Sequence, residues 1–286
     1  ALEHDPLYAR AFAGLADSYS VLGNVKDLPP GEAYPKARAA AEQGLAVDPD
    51  LAELHASLGF IHRHWEWDWA AAEAAYVQAI AANPGYATAH RWYSLFLAGM
   101  GRHDESIERA EQARRLDPHA VVLRTSVGDA YFYARRYEES MAHYRAALEM
   151  DPDCLPAHTD LARSLELAGR WEESIAEYER GAALAAQGPP EPSSGLAHVY
   201  ASMGRRDEAL EIVGRLLELR ERKYVSPYGL GSIHACLGEI DEAFAWLERA
   251  YEEHDQTLVW LKVHPRLDPL RGDPRYTDLL GRMKFD

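Results

Sequence analysis

Histidines and tryptophans are concentrated between residues 55 and 69, in the stretch HASLGFIHRHWEWDW. Imidazole nitrogens beside carboxylates can coordinate a metal ion, and indole rings grouped together can surround a cation. The residues of this cluster are His55, His62, His64, Trp65, Trp67 and Trp69. The HExxH pattern of a helical zinc site is absent, so the spacing favours a structural role over a metal site.

Other sequence motifs of catalytic chemistry are also missing. The chain has no GxGxxG, GxxxxGK[ST] or GxSxG pattern, and no nucleophile is placed beside a base. The two cysteines, Cys154 and Cys236, have no CxxC or Cys-His spacing and are expected to be free thiols. We therefore predict no enzymatic activity, no catalytic residues, no bound metal and no cofactor.

The net charge of −16 limits the classes of partner. Phosphate backbones and anionic lipid surfaces repel such a protein, so we expect neither direct nucleic-acid binding nor membrane insertion. Basic partners are favoured. No signal peptide or long apolar run is present. We expect a cytoplasmic location, or a periplasmic one if a transmembrane segment precedes residue 1, because the opening ALEHDP resembles the tail of an earlier unit.

The prolines reveal a repeating unit. Pro49, Pro84, Pro118 and Pro152 each follow Asp or Asn and are 35, 34 and 34 residues apart. Proline lacks the N–H that a helix needs and restricts the residue before it, so each of these positions marks a helix end. A period of 34 residues is that of the tetratricopeptide repeat, a pair of antiparallel helices.

Further marks recur between the prolines. A small residue in the first helix, such as Gly59 or Gly128, allows neighbouring helices to approach closely. Acidic residues open the second helix, where the helix dipole favours them. Glycines typical of a helix end with positive φ stand between the two helices, at Gly23, Gly101, Gly169, Gly204 and Gly238. The insertion NVKDLPPGEAYP (residues 24–35) has three prolines and is expected to form a loop at the rim.

These patterns predict an all-α fold, an α-solenoid that winds as a right-handed superhelix of about seven helix-turn-helix repeats. The repeats are expected at residues 6–49, 50–84, 85–118, 119–152, 153–186, 193–221 and 226–255. A C-terminal capping segment should follow, with a final helix that begins at Pro274 after Asp273. We expect residues 1–186 to hold repeats one to five, and residues 187–286 to hold repeats six and seven and the cap.

Alignment of the repeats gives most of the histidine and tryptophan cluster a structural role. His55 and His62 align with packing positions of other copies, and Trp69 aligns with Tyr137 and Trp171. Trp65 and Trp67 fall in a turn with one extra residue, which accounts for the 35-residue spacing. His64 is the exception, because it falls on a position that should line the groove of the superhelix.

Known tetratricopeptide repeats bind peptides through positions 2, 5, 9, 12 and 13 of the first helix. Aromatic residues and arginines at such positions are typical hot spots. The candidate partner-binding residues are Phe60, Arg63, His64, Arg91, Asp129, Phe132, Tyr133 and Arg163. We expect Phe60, Phe132 and Tyr133 to be exposed. The alternative is that these side chains fill the groove against neighbouring helices, or against the chain's own C-terminal segment.

Two stretches extend the resemblance beyond the generic repeat. The first is residues 67–106, beginning WDWAAAEAAY, and the second is residues 226–255, beginning SPYGLGSIHA, with its tail at residues 261–283. Both resemble the C-terminal repeat regions of bacterial signalling regulators. Those regulators carry a winged-helix, serine/threonine kinase or cyclase domain. The resemblance implies a protein-interaction and sensing module whose groove binds a peptide, a protein or its own effector domain. The alternative function is a receptor for a small ligand or metal, with His64, Trp65 and Trp67 forming the pocket.

Overall fold

The computed structural model describes residues 5, 7–24, 28–185 and 193–285, and these residues form helices and connecting turns without any β-strand. The α-helices in chain order are α1 (Ala9–Asn24), α2 (Pro30–Val47), α3 (Ala52–Ile61), α4 (Trp69–Ala82), α5 (Ala87–Met100), α6 (His103–Leu116), α7 (Val121–Tyr133), α8 (Tyr137–Met150), α9 (Leu155–Leu167), α10 (Trp171–Ala185), α11 (Ser194–Ser202), α12 (Arg206–Arg220), α13 (Pro227–Cys236), α14 (Ile240–Glu252) and α15 (Pro274–Arg282). None of these helices is both long and apolar enough to span a bilayer.

The helices are arranged as repeats. From α1 to α13, each odd-numbered helix packs most closely against the even-numbered helix that follows it. These seven pairs of the described chain coincide with the seven predicted repeats. The all-α repeat fold predicted from the sequence is confirmed.

The chain forms two compact units. Unit 1 comprises residues 1–117 and 283–286 and contains α1 to α6, and unit 2 comprises residues 118–282 and contains α7 to α15. The division predicted at residues 186 and 187 falls in the interval 186–192, outside the described residues, and stays a prediction.

Close helix approach depends on small residues, as predicted. A Cβ atom on Gly59 would lie 2.6 Å from Cε1 of Tyr76, and a Cβ atom on Gly128 would lie 2.6 Å from Cε1 of Tyr144. Both tyrosine rings are buried at these positions. A larger residue at either glycine would therefore push the second helix of the repeat away from the first.

Four of the five predicted turn glycines have positive φ, namely Gly101, Gly169, Gly204 and Gly238. Gly23 is the exception, because it lies inside α1, where a Cβ atom would be 2.9 Å from the Cβ of Ala33. Glycine is needed there for close approach and not for backbone conformation. In the turn between α7 and α8, Arg135 takes the left-handed conformation, with φ 61°.

The predicted rim loop of the first repeat is wrong for residues 30–35. Helix α2 begins at Pro30 and contains Pro35. Pro30 is tolerated because the first turn of a helix has no N–H to pair. Pro35 removes one backbone hydrogen bond, and the burial of its neighbours Ala33 and Tyr34 in the helix pair offsets that loss. Residues 25–27 of the insertion lie outside the described residues.

The C-terminal region of unit 2 has two parts. Two 3₁₀-helices, Gln256–Trp260 and Pro265–Leu270, follow α14 and precede α15. The guanidinium of Arg275 lies 4.3 Å from the ring centroid of Phe244, and that of Arg282 lies 4.7 Å from the ring of Tyr251. Helix α15 therefore covers the last repeat helix, α14, as predicted for a cap, and it begins at Pro274.

Candidate functional site

The turn between α3 and α4 contains the extra residue predicted from the proline spacing. Residues His62–Glu66 form one π-helical turn, in which each hydrogen-bonded ring spans one residue more than in an α-helix. The turn ends at Trp67, whose φ of 49° is left-handed. The extra residue is thus accommodated within this turn, and α4 begins at Trp69.

The first histidine of the cluster has a structural role that recurs along the chain. Its Nε2–H donates to the carbonyl oxygen of the proline six residues earlier, and the same bond occurs in two other repeats. The donor and acceptor pairs are His55 with Pro49 (2.8 Å), His90 with Pro84 (3.0 Å) and His158 with Pro152 (2.9 Å). These bonds tie the loop between repeats to the helix that follows it.

The other two histidines of the cluster also have partners nearby. His62 Nδ1 lies 2.7 Å from the carboxylate of Glu66, and His64 Nδ1–H donates to the carbonyl of Phe60 over 3.0 Å. Within the described part of the chain, no group of three or more His, Cys, Asp or Glu side chains could hold a metal ion. The metal alternative is therefore not favoured.

The tryptophans of the cluster contact different neighbouring residues. Trp65 stacks on Tyr34, with ring centroids 5.5 Å apart. Trp69 stacks on Phe285 at 4.4 Å and donates its indole N–H to the carbonyl of Met283 over 2.9 Å, both contacts lying within unit 1. Trp67 is buried. The rings do not form a shared cage, which disfavours the small-ligand alternative at this cluster.

A partly exposed set of side chains lies on the first helices of unit 1, and we call it the aromatic–acidic face. Its members are Asp17, Glu53, Phe60, His64, Tyr86 and Trp92. The Phe60 ring stacks on His64, with centroids 3.9 Å apart, and lies 5.2 Å from the ring of Trp92. All three rings keep some exposed surface. The face therefore presents an aromatic platform to solvent.

The carboxylates of this face lie in a partly desolvated setting. Asp17 accepts a hydrogen bond from the Ser57 hydroxyl over 2.6 Å. Burial raises the pKa of Asp17 and outweighs the opposite effect of Ser57, and Glu53 raises that pKa further. Burial, followed by Asp17, raises the pKa of Tyr86 to about 12, with a smaller contribution from Glu53. The negative charge at this face is thus close to the ring of Tyr86.

The structure places the four candidate residues of unit 1 differently. Phe60 and His64 belong to the aromatic–acidic face. Arg63 is only 3% exposed, and its charge lowers the pKa of His64 in addition to the larger effect of burial. Arg91 is half-buried on α5. Tyr86 and Trp92 were not selected from the sequence, because neither falls on a position counted as groove-lining.

The equivalent surface in unit 2 is covered by residues 255–271, which we call the covering segment. Tyr133 stacks on Trp260, with centroids 4.0 Å apart and planes 6° apart, and the Phe132 ring lies 6.0 Å from His264. Phe132 is 0% exposed and Tyr133 is 3% exposed. The expectation that these two rings are exposed is wrong, because the chain's own C-terminal segment fills the space beside them.

The remaining two candidates also have intramolecular partners. Asp129 accepts a hydrogen bond from the Tyr144 hydroxyl over 2.7 Å. The Arg163 guanidinium lies 5.1 Å from the centroid of Phe132 and forms an ion pair with Asp160. Their role in binding a partner stays a prediction.

The covering segment is held by a buried ionic network that sequence patterns did not reveal. Arg266 pairs with Glu166 of α9 and donates to the Tyr178 hydroxyl over 2.8 Å. Burial alone would raise the pKa of Glu166, but Arg266 and His198 outweigh it and lower that pKa to about 2. The one available signal was an arginine among apolar residues in the irregular stretch VHPRLDPL.

Arg135 forms a bidentate ion pair with Asp268 of the covering segment. Its two terminal nitrogens donate to the two carboxylate oxygens over 2.6 and 2.7 Å. Such paired geometry is the strongest form of an arginine–carboxylate contact. The left-handed backbone of Arg135 thus occurs at a residue that helps to hold the covering segment.

The sequence model of one family matches more than half of the chain. It is the tetratricopeptide repeat family, matched at residues 68–121, 128–192 and 195–256. The chain belongs to the tetratricopeptide repeat family. Proteins with these repeats serve as scaffolds that bind protein or peptide partners.

Solved structures show the same tetratricopeptide fold. The protein pilF of Pseudomonas aeruginosa is 18% identical, covers 74% of this chain and 93% of its own, and has a TM-score of 0.52. The protein TTC0263 of Thermus thermophilus is 17% identical, with coverages of 72% and 98% and a TM-score of 0.55. Human IFIT1 is 20% identical, with coverages of 88% and 65% and a TM-score of 0.63. No curated protein matches the chain significantly.

Proposed function

We propose that the chain is a protein-interaction module whose aromatic–acidic face binds a peptide or protein segment rich in basic and apolar side chains. The observation that carries this proposal is the stack of Phe60 on His64 beside Trp92. Glu53 lies about two turns before Phe60 on α3, and Asp17 is hydrogen-bonded to Ser57 between them. A lysine or arginine side chain can pair with the carboxylates and lie across an aromatic ring. The net charge of −16 supports a basic partner through long-range attraction.

In this proposal, Arg63 and Arg91 border the aromatic–acidic face and contribute to binding from its edge. The other four candidates lie in unit 2, where the covering segment already occupies their surface. They are Asp129, Phe132, Tyr133 and Arg163. We propose that they bind an external partner only where that segment is displaced. The chain thus offers one face that is ready for a partner and one that is occupied.

We further propose that this module serves a larger bacterial signalling regulator, with an effector domain outside the present chain. The support is the resemblance of residues 67–106 and 226–255 to the repeat regions of such regulators. The test is the genomic sequence on either side of the part that encodes this chain. A winged-helix, kinase or cyclase domain there agrees with the proposal, and an unrelated enzyme domain contradicts it.

Peptide binding can be measured directly with the full chain. Fluorescent peptides of equal length would alternate phenylalanine with lysine, with serine or with glutamate, and binding would be followed by fluorescence anisotropy. We expect the lysine peptide to bind most tightly and the glutamate peptide least. Equal binding of all three peptides would contradict the proposal.

Variants locate the binding face. Glu53→Gln removes one charge and should weaken the binding of the lysine peptide several-fold. The loss of affinity should be larger at low salt. Phe60→Ala should weaken the lysine and serine peptides alike, because it removes the aromatic platform. Glu108→Gln is the matched control, since Glu108 is exposed on α6, a second helix of unit 1. A control that loses as much affinity as Glu53→Gln would place the binding site elsewhere.

A further inference from the structure

A separate cavity of about 270 Å³ lies within unit 2. Two helix N-termini open onto it, those of α11 at Ser194 and of α13 at Pro227. The side chains of Arg163, Tyr228 and Arg266 form part of its wall. The cavity is independent of the aromatic–acidic face, which belongs to unit 1.

Buried polar atoms in this wall lack partners among the described residues. The hydroxyl of Tyr228 has no hydrogen-bond partner, although Tyr228 is only 3% exposed. The Nε–H of Arg266 also has none, and this residue is 9% exposed. Leaving a buried donor unpaired is costly, so such atoms at a cavity wall indicate a ligand that accepts hydrogen bonds.

The charges around the cavity are mixed in sign, so the unpaired donors decide which ligand fits. The N-terminal end of α11 carries partial positive charge, and Arg163 and Arg266 carry full positive charges. Three carboxylates oppose these charges: Asp160, which pairs with Arg163, Glu166, which pairs with Arg266, and Asp255, which already accepts two hydrogen bonds at the start of α13. Each arginine still has an Nε–H outside its ion pair.

The same two arginines also act on His264. Its imidazole lies in the cavity wall, 5.9 Å from the ring of Tyr228. Burial lowers the pKa of His264 well below its ordinary value, and the nearby Arg266 and Arg163 lower it further. The imidazole is therefore neutral and adds no charge of its own near neutral pH.

We propose that this cavity binds a small ligand through an oxyanion group, a carboxylate or a phosphate, held by the Tyr228 hydroxyl and the Nε–H of Arg266. The volume is close to the lower end of ordinary small-molecule sites, roughly 300–1,000 Å³. The ligand is therefore a small metabolite-sized anion, or the free carboxylate end of a short chain. Both sources offer the same acceptor oxygens to the same donors.

The test is a titration of the full chain followed by thermal unfolding and calorimetry. The probes are sodium phosphate, sodium acetate and a tripeptide with either a free or an amidated C-terminus, all at constant ionic strength balanced with sodium chloride. Stabilisation by phosphate or acetate beyond the chloride control supports a free anion site. Stabilisation by the free tripeptide and not by its amide supports a chain-end site. No stabilisation by any of these probes overturns the proposal.

The variant Tyr228→Phe removes only the unpaired hydroxyl. We expect this change to weaken the binding of the anion about tenfold. The melting temperature in sodium chloride should stay equal or rise. Tyr76→Phe is the matched control, because Tyr76 is a fully buried tyrosine of unit 1 whose hydroxyl also lacks a partner among the described residues. Unchanged anion affinity in Tyr228→Phe, or an equal loss in Tyr76→Phe, would overturn the assignment.

Discussion

His64 in unit 1 and Tyr133 in unit 2 occupy the same position of their respective repeats, yet their surroundings differ. His64 stacks on Phe60 at a surface that keeps some exposure to solvent. Tyr133 stacks on Trp260 and is buried beneath the covering segment. One repeat position is therefore part of a partly exposed surface in unit 1 and makes an internal contact in unit 2.

The comparison shows what a repeat can and cannot specify. Local packing within each helix pair is the same in both units, as the matching contacts of Gly59 with Tyr76 and of Gly128 with Tyr144 show. The availability of the first-helix surface depends instead on a segment more than a hundred residues away in sequence. The following predictions test this difference between the units.

The largest effect is expected from Arg266→Met. This change leaves Glu166 buried without its main cationic partner, and breaking a buried pair in this way costs about 3–5 kcal/mol in the free energy of unfolding. Urea unfolding followed by circular dichroism measures the loss. The control is Arg170→Met, which breaks an exposed pair with Glu173 and should have little effect. Similar losses in both variants would contradict a special role for the covering segment.

The stability of unit 2 should also depend on pH through Glu166. The pKa of Glu166 is lowered from 4.5 to about 2 by Arg266 and His198, which outweigh burial. Because the folded pKa is the lower one, this stabilisation is complete above pH 4.5 and is lost as the pH falls toward 2. It amounts to about 3 kcal/mol. The variant Glu166→Gln should show a shallower fall across this interval in urea unfolding, and an identical slope would argue against the pair.

A somewhat smaller effect is expected from Trp260→Ala. The change removes the ring that stacks on Tyr133 and should cost about 2–3 kcal/mol, less than for a fully buried tryptophan because Trp260 is half-buried. Trp260→Phe keeps a ring in place and should cost less than the alanine variant. Tyr133 should become more accessible in Trp260→Ala, as measured by chemical iodination of tyrosine and mass spectrometry. Unchanged accessibility would mean that the segment stays in place without this stack.

The smallest effects should be found at the open face of unit 1. Phe60→Ala removes a half-buried ring and should cost about 1 kcal/mol. Val21, which is 56% exposed on α1, serves as a control, and Val21→Ser should change stability by no more than about 0.5 kcal/mol. Urea unfolding of both variants would show whether the side chains of this face contribute as little to stability as their exposure indicates. A loss from Phe60→Ala as large as that from Arg266→Met would erase the contrast between the units.

The fold was predictable from the sequence because its determinants are local. Proline and glycine positions restrict the backbone within a few residues, so Pro84 and Gly169 mark helix ends wherever the repeat is placed. The same reasoning failed at Pro35, because burial of its neighbours in the helix pair outweighed the loss of one hydrogen bond. Gly23 likewise looked like a turn residue, although close packing was the reason for it.

The candidate site was less predictable. Phe60 and His64 were found by counting positions within a repeat, and the structure keeps both at the partly exposed face. Counting gave the same weight to Phe132 and Tyr133, which the structure buries. Trp92 and Arg266 were missed, since neither belongs to a position that the repeat pattern marks as functional.

The order of residues specifies the helix pairs, their number and the places where they turn, because these features follow from backbone restrictions and from the spacing of small and apolar residues. Which first-helix surface is open and which is filled emerges only in the folded chain. That outcome depends on contacts such as those of Trp260 with Tyr133 and of Arg266 with Glu166, which join residues far apart in sequence. No local pattern encodes such contacts, because their free energy arises only when the partners are brought together and removed from water.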